Sequence, residues 1–136
     1  MGSLKGKRAL VTAGAQGIGM AISRRFLEHG CSVSVHYYTS KEGASEIKEY
    51  ASSLSEQCGT VQGDLTAEED VKRVVSESAD MLGGLDILVN NAGSLVERRS
   101  LQDIDPEYWR KVIDINMHSM IMATREAVPL LAQNKN

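Results

Sequence analysis

The chain holds few of the residues that would commit it to a metal, a disulfide framework or a membrane. It has two cysteines, Cys31 and Cys58, far apart and in no Cys-x-x-Cys pair. That excludes a disulfide-built scaffold and leads us to expect a free-thiol protein of the cytoplasm. Its three histidines, His29, His36 and His118, lack metal-ligand spacing with any cysteine or carboxylate cluster, so no metal is expected. No apolar run approaches a membrane span, and residues 1–7 contain no apolar signal core. Charge of one sign is missing too. The net charge of −3 comes from interspersed acids and bases, with neither a basic stripe for nucleic acid nor a polybasic patch for a membrane surface. No repeat, low-complexity tract or interdomain linker is visible.

What is present is an ordinary globular composition, 42% hydrophobic and 24% charged over 136 residues, enough for one domain, residues 1–136, with one core. Apolar patterning alternates strand and helix. Strands are expected at residues 8–12, 32–37, 60–63 and 85–90. Helices are expected at 17–29, with Ile18, Ile22 and Phe26 on the inner face, and at 41–55, with Ala44, Ile47, Ala51 and Leu54 in one stripe. A third helix, 66–82, buries Val71, Val74, Val75 and Leu82, opens on a Thr66/Glu69 capping box and ends at Gly83-Gly84. One long helix, about 106–131, closes the chain, with Pro106 in its first turn and Pro129 in its last turn or at a kink. Gly30 ends the first helix from the left-handed position.

Strands alternating with crossover helices imply a parallel, doubly wound α/β sheet of Rossmann type. The expected strand order is 3-2-1-4, with the switch point between strands 1 and 4. Two small-residue loops leave those strands. Thr12-Ala-Gly-Ala-Gln-Gly-Ile-Gly19 follows the first, and Asn90-Asn-Ala-Gly93 follows the fourth. In the first loop, Gly14, Gly17 and Gly19 let the backbone approach a pyrophosphate, and the helix-start amides near Gly17-Ile18-Gly19 can donate to it. In the second, Ala92 and Gly93 leave room for a ligand to pass close by. Asn90 and Asn91 can bond their own backbone and brace strand 4 against strand 1.

Thr-x-x-x-x-Gly-Ile-Gly, Asp64-Leu65 after the third strand and Asn-Asn-Ala-Gly, in this order, resemble the short-chain dehydrogenase/reductase family over essentially the whole chain. Ala13 is a departure, standing where the family more often has a glycine; Gly14 beside it is expected to absorb the turn. The resemblance implies a pyridine dinucleotide held by Thr12, Gly14, Gln16, Gly17, Ile18, Gly19, Tyr37, Tyr38, Asp64, Leu65, Asn91, Ala92 and Gly93. In it, Asp64 accepts from the adenine amino group and Leu65 lies against the ring. Strand 2 ends His36-Tyr37-Tyr38-Thr39-Ser40 without a carboxylate before Glu42, while Thr39, Ser40 and Lys41 can meet a 2′-phosphate. The cofactor reading therefore leans to NADP, with NAD open.

By the same resemblance Asn116 is the active-site asparagine, holding a water that passes protons toward a catalytic lysine. The implied reaction moves a hydride between nicotinamide and a small carbonyl or alcohol carbon. The family's serine and Tyr-x-x-x-Lys pair follow the asparagine helix and do not occur in these 136 residues; Tyr37-x-x-x-Lys41 lies at the adenosine end. Two readings follow, the cofactor-binding half of an oxidoreductase, inactive by itself, or a non-catalytic nucleotide-binding or oligomerising module. The fourth strand is expected as an open edge. The last helix is expected to expose Trp109, Ile113, Met117, Ile121 and Val128 and to serve a homo-oligomer.

Overall fold

Four parallel strands form the centre of the computed structural model, which describes residues 3–133; the reading of residues 1–7 falls partly outside them. The elements are β1 (Arg8–Val11), α1 (Gly17–Glu28), β2 (Ser32–Tyr37), α2 (Lys41–Ser53), β3 (Cys58–Gln62), α3 (Glu68–Leu82), β4 (Ile87–Val89), α4 (Pro106–Ile113) and α5 (Ser119–Ala132). The strand order is β3-β2-β1-β4, as topology required. Register places Ala9 beside both Val33 and Ile87, and Val11 beside both Val35 and Val89. This makes β1 the central strand whose end feeds the phosphate loop.

Side chains alternate across the sheet and split the core in two. Ala9, Val11, Val33 and Val35 pack under α1 and α2 with Leu27, Ile47 and Ala51. Leu10 and Val61 face the other way, against Val71, Val74 and Val75 of α3 and Ala123 and Ala127 of α5. The two alanines let α5 approach closely. A buried hydroxyl pair, Ser34 and Ser78 at 2.7 Å, joins β2 to α3. Arg8 and Asp86 form an ion pair at 2.8 Å that ties β1 to the start of β4. It holds the Asp86 carboxyl below its usual range.

Four expectations change. The fully buried row of α1 is Gly19, Ser23 and Leu27; of the expected inner face, Ile22 and Phe26 are half-buried against the core and Ile18 is not. Ile18 is 75% exposed because the helix has to tuck Gly19 under the preceding loop. Leu54 caps α2 and is exposed rather than continuing its stripe. The capping box is absent. Thr66 donates its hydroxyl to Asp64 Oδ1 (2.7 Å) in a local turn, so Ala67 becomes the N-cap and α3 starts at Glu68. Asp70 instead reaches back to accept from the Asp64 amide at 2.8 Å.

The long last helix is also not one α-helix. Asp114–His118 forms a π-turn between α4 and α5, which are otherwise continuous. Asp105 caps α4 by accepting from the Tyr108 amide (2.8 Å), with Pro106 in the first turn. Pro129 lies three residues before the end of α5, in its last turn. Glycines close α1 and α3 at positive φ, +79° for Gly30 and +73° for Gly83. No helix among the described residues is long and apolar enough to cross a membrane.

Candidate functional site

The loops after β1 and β4 meet at one clasp. Thr12 is buried and its Oγ1 accepts from the amides of Asn91 (2.9 Å) and Ala92 (3.0 Å) while donating to Val89 O (3.2 Å). Asn91 Nδ2 donates back to the carbonyls of Thr12 (3.1 Å) and Ala13 (3.2 Å). Asn91 thus braces β4 against β1 through the other strand's backbone rather than its own. Asn90 turns away and donates to Thr124 Oγ1 on α5 (3.0 Å).

The sharp bend of the phosphate loop sits on Ala13, at φ +49°, and not on Gly14. Gly14 is needed for space instead, since a Cβ there would lie 2.8 Å from Ser23 Oγ and 2.9 Å from Val11 O. Gly19 is tighter still, its Cβ position being 2.1 Å from the Ala13 carbonyl oxygen. Helix α1 opens at Gln16 with no side-chain cap and no acid in its first turn. Its first helical bond runs from the Met20 amide to Gln16 O. The amides of Gly17, Ile18 and Gly19 therefore precede the helical ladder, at the positive end of the dipole. Around Gly17, where φ is +50°, nothing would crowd a Cβ. This is open space above uncapped donors.

Three supporting residues escaped the sequence reading. Ser23 shares its hydroxyl between the carbonyls of Gly14 (3.1 Å) and Gly19 (2.9 Å), pinning the loop from below. His36 accepts the Ala13 amide on Nδ1 (3.0 Å) and donates from Nε2 to Gly63 O (2.9 Å). Gly43 lets the first turn of α2 lie against the loop, its Cβ position being 1.9 Å from the Ala15 carbonyl oxygen. The signal for Ser23 was a hydroxyl on an otherwise apolar helix face; for His36 it was a histidine inside an apolar strand.

A cleft of about 670 Å³ runs along this edge of the sheet. One end is lined by Gln16, Tyr37, Tyr38, Thr39 and Ser40, the middle by Ala13, Asp64, Leu65 and Ala92, and the other end by Gly93, Ser94, Val96, Lys111, Ile115 and Ser119. Gln16 accepts from the Ser40 hydroxyl at 2.6 Å, linking the phosphate loop to the start of α2. A smaller hollow beside that end is lined by Thr39, Ser40, Lys41, Glu42 and Ser45. Seven of the anticipated residues, Gln16, Tyr37, Tyr38, Asp64, Leu65, Ala92 and Gly93, line the cleft. Thr12, Gly14, Gly19, Asn91, Gly17 and Ile18 are not among its lining; Thr12, Gly14 and Gly19 are buried, Asn91 is half-buried, and Gly17 and Ile18 are exposed. Asp64 is tied into its own turn with Thr66, accepting from that residue's amide (2.9 Å) and hydroxyl (2.7 Å).

Asn116 lies in the π-turn and holds Ser94, which lines the cleft. Its Oδ1 accepts from the Ser94 amide (3.1 Å), and its Nδ2 donates to the carbonyls of Ser94 (2.6 Å) and Val112 (2.8 Å). A Cβ on Gly93 would fall 2.6 Å from Asn116 Oδ1, so that contact requires glycine. Tyr108, buried, donates to the carbonyls of Leu95 (2.8 Å) and Glu97 (2.7 Å) under the Arg99 guanidinium. Between these clamps Val96 is held at φ +67°, a strained state for a β-branched residue.

The short chain dehydrogenase family model matches residues 7–136. The chain belongs to the short-chain dehydrogenase family. Among curated relatives, it is 36% identical over 128 residues to general stress protein 39 of Bacillus subtilis, covering 94% of this chain and 45% of that one. It is 31% identical over 125 residues to 3beta-hydroxysteroid dehydrogenase 2 of Eggerthella lenta, covering 92% and 48%. Among solved structures, a short chain dehydrogenase from Burkholderia cenocepacia in complex with NADP superposes with TM-score 0.90 at 35% identity, over 96% of this chain and 53% of that one. An NADH-dependent reductase complexed with NAD gives TM-score 0.89 at 31% identity, over 96% and 54%. This short-chain dehydrogenase chain thus spans about half the length of the relatives it matches.

Proposed function

We propose that this chain is the dinucleotide-binding half of an oxidoreductase that moves a hydride between a pyridine dinucleotide and a small carbonyl or secondary alcohol. The observation that carries the reading is the Thr12–Asn91 clasp, which brings the open, uncapped start of α1 and the Asn-Asn-Ala-Gly loop to the two walls of one cleft. The amides of Gly17 to Gly19 bind the pyrophosphate with the dipole of α1 behind them. Tyr37, Tyr38 and the Asp64-Leu65 turn take the adenosine, and Ala92 and Gly93 take the nicotinamide riboside. The dinucleotide supplies the hydride acceptor or donor when bound. The protein's own groups bind it, orient it and exclude water.

NADP is favoured over NAD because Ser40 and Lys41 edge the hollow beside the adenosine end, with Glu42 as the opposing charge. Calorimetric titration of the purified 136-residue chain with NADPH and NADH tests both points. Micromolar binding with NADPH tighter is expected; heat with neither coenzyme removes the reading, and tighter NADH binding reverses the cofactor choice. Lys41→Ala lowers NADPH affinity by about threefold to tenfold and spares NADH, the range for losing one exposed charge-assisted contact.

We take Asn116 for the proton pathway of the complete site; its clamp on the backbone of Ser94, which lines the cleft, supports this. Within these residues Tyr37 and Lys41 stand at the end read as the adenosine end, so they are not taken as the proton-transfer pair. The chain by itself is expected to bind coenzyme and to leave carbonyl substrates unreduced. The free Cys31 and Cys58, whose thiols burial pushes up to about 11, fit an unreactive thiol pair in the cytoplasm. The second reading, an oligomerising module, is favoured by the exposed apolar row Trp109, Met117, Ile121 and Val128.

A further inference from the structure

We propose that His36 is a positioning residue of this site: its neutral imidazole sets the backbone of the phosphate loop at Ala13, and dinucleotide binding requires the ring without its second proton. The inference rests on the dinucleotide reading above. Its basis is that His36 grips both peptide units flanking Ala13. The ring Nδ1 accepts the Ala13 amide at 3.0 Å, and the His36 carbonyl accepts the Gly14 amide at 2.9 Å. The remaining ring nitrogen, Nε2, donates to Gly63 O at 2.9 Å. These partners dictate the tautomer. A backbone amide can only donate, so Nδ1 carries no proton, and a carbonyl can only accept, so Nε2 carries one.

An alanine at φ +49° is unfavourable by about 1–2 kcal/mol relative to the right-handed region, so it persists only where its surroundings over-determine it. Here the amide is held by His36, the carbonyl by Asn91, and the following amide by the His36 carbonyl. The same carbonyl of Ala13 lies against Gly19, at the first turn of α1. Protonating Nδ1 would point two N–H groups at each other across 3.0 Å. The Thr12–Ala13 peptide would then rotate away, drawing the Thr12 carbonyl off Asn91 Nδ2 and disturbing the Ala13 backbone, whose own carbonyl lies against Gly19. The donors for the pyrophosphate stand on that same turn.

His36 is 3% exposed. The charged groups facing it are Asp64 in the loop after β3 and Asp70 and Arg73 on α3. Burial outweighs the two carboxylates and holds the histidine below its ordinary range, so the neutral form is the resting one.

The test uses the 136-residue chain and ADP-ribose, whose diphosphate keeps its charge from about pH 8 to about pH 5. Affinity measured by calorimetry is expected to fall in step with protonation of His36, followed by NMR of its ring nitrogens, approaching about tenfold per pH unit below the pH at which the free protein's ring titrates. Linkage requires the reciprocal effect: saturating ADP-ribose must lower the pH at which His36 titrates. An upward shift, as simple attraction to the diphosphate would give, overturns the proposal, and so does pH-independent affinity. His36→Gln, which keeps an acceptor but no titrating ring, is expected to bind with a flat profile. The wild-type titration decides the matter if that variant does not fold. No binding of ADP-ribose at any pH removes the dinucleotide reading itself, whereas binding that ignores pH removes only the role of His36.

Discussion

A single β-carbon decides several positions in this cleft. Ala13 carries one where the backbone prefers none, and Gly14, Gly19 and Gly93 lack one where a neighbour stands within 3 Å of its place. Ala13→Gly is therefore expected to raise stability by up to about 1 kcal/mol, read from urea unfolding, because relief of the left-handed strain exceeds the entropy glycine adds to the unfolded chain. Gly19→Ala is expected to do the opposite and cost more than about 2 kcal/mol, since the carbonyl it meets is fixed backbone. His36 imposes a pH dependence at the same scale. Its titration in the fold lies below its unfolded value of about 6.5, so the unfolded chain binds the proton more readily. The stability it contributes is complete above that value and is lost as the pH falls toward the folded one. Thermal unfolding of wild type and His36→Gln should diverge across that window and run parallel above about pH 7.5.

At the scale of elements, the π-turn between α4 and α5 is the feature that a helical pattern could not show. The apolar spacing of residues 106–131 is that of one continuous helix, and it counts residues without revealing where an extra one is accommodated. The reason for the insertion lies outside the helix. Asn116 reaches the Ser94 backbone on both sides, and the widened turn brings it there. Asn116→Ala should cost up to about 1 kcal/mol, since the exposed Ser94 groups can turn to water, and should speed amide exchange selectively over residues 93–97. Equal acceleration throughout α5 would show that the clamp serves the helix rather than the loop. The start of α3 carries a similar lesson. Thr66 and Glu69 have the spacing of a capping box, but Thr66 is drawn to the nearer Asp64, and the helix begins later.

At the scale of the whole molecule, one face of the sheet is closed by α1 and α2 and the other by α3 and α5, while α4 and the outer side of α5 leave Trp109, Met117, Ile121 and Val128 exposed. Ile113, expected with them, is half-buried. These four large apolar side chains, each about half exposed along one helical stretch, are the ground for expecting sedimentation to show self-association of the chain. Ile121→Asp should shift it toward monomer without altering the circular dichroism spectrum; a monomeric wild type at tens of micromolar would rule the row out as an interface.

Local pattern alone determined the alternation of strands and helices, the strand order and the two loops that carry the nucleotide reading. Those features depend on residues near one another in the chain and on the handedness of crossover connections. Tertiary structure alone decided which residue bears the strain of the phosphate loop, that His36 and Ser23 hold it, and that Asn116 grips Ser94 through a π-turn. Each of these is a contact between segments separated in sequence, and a hydrogen bond has no periodicity from which its partner can be read.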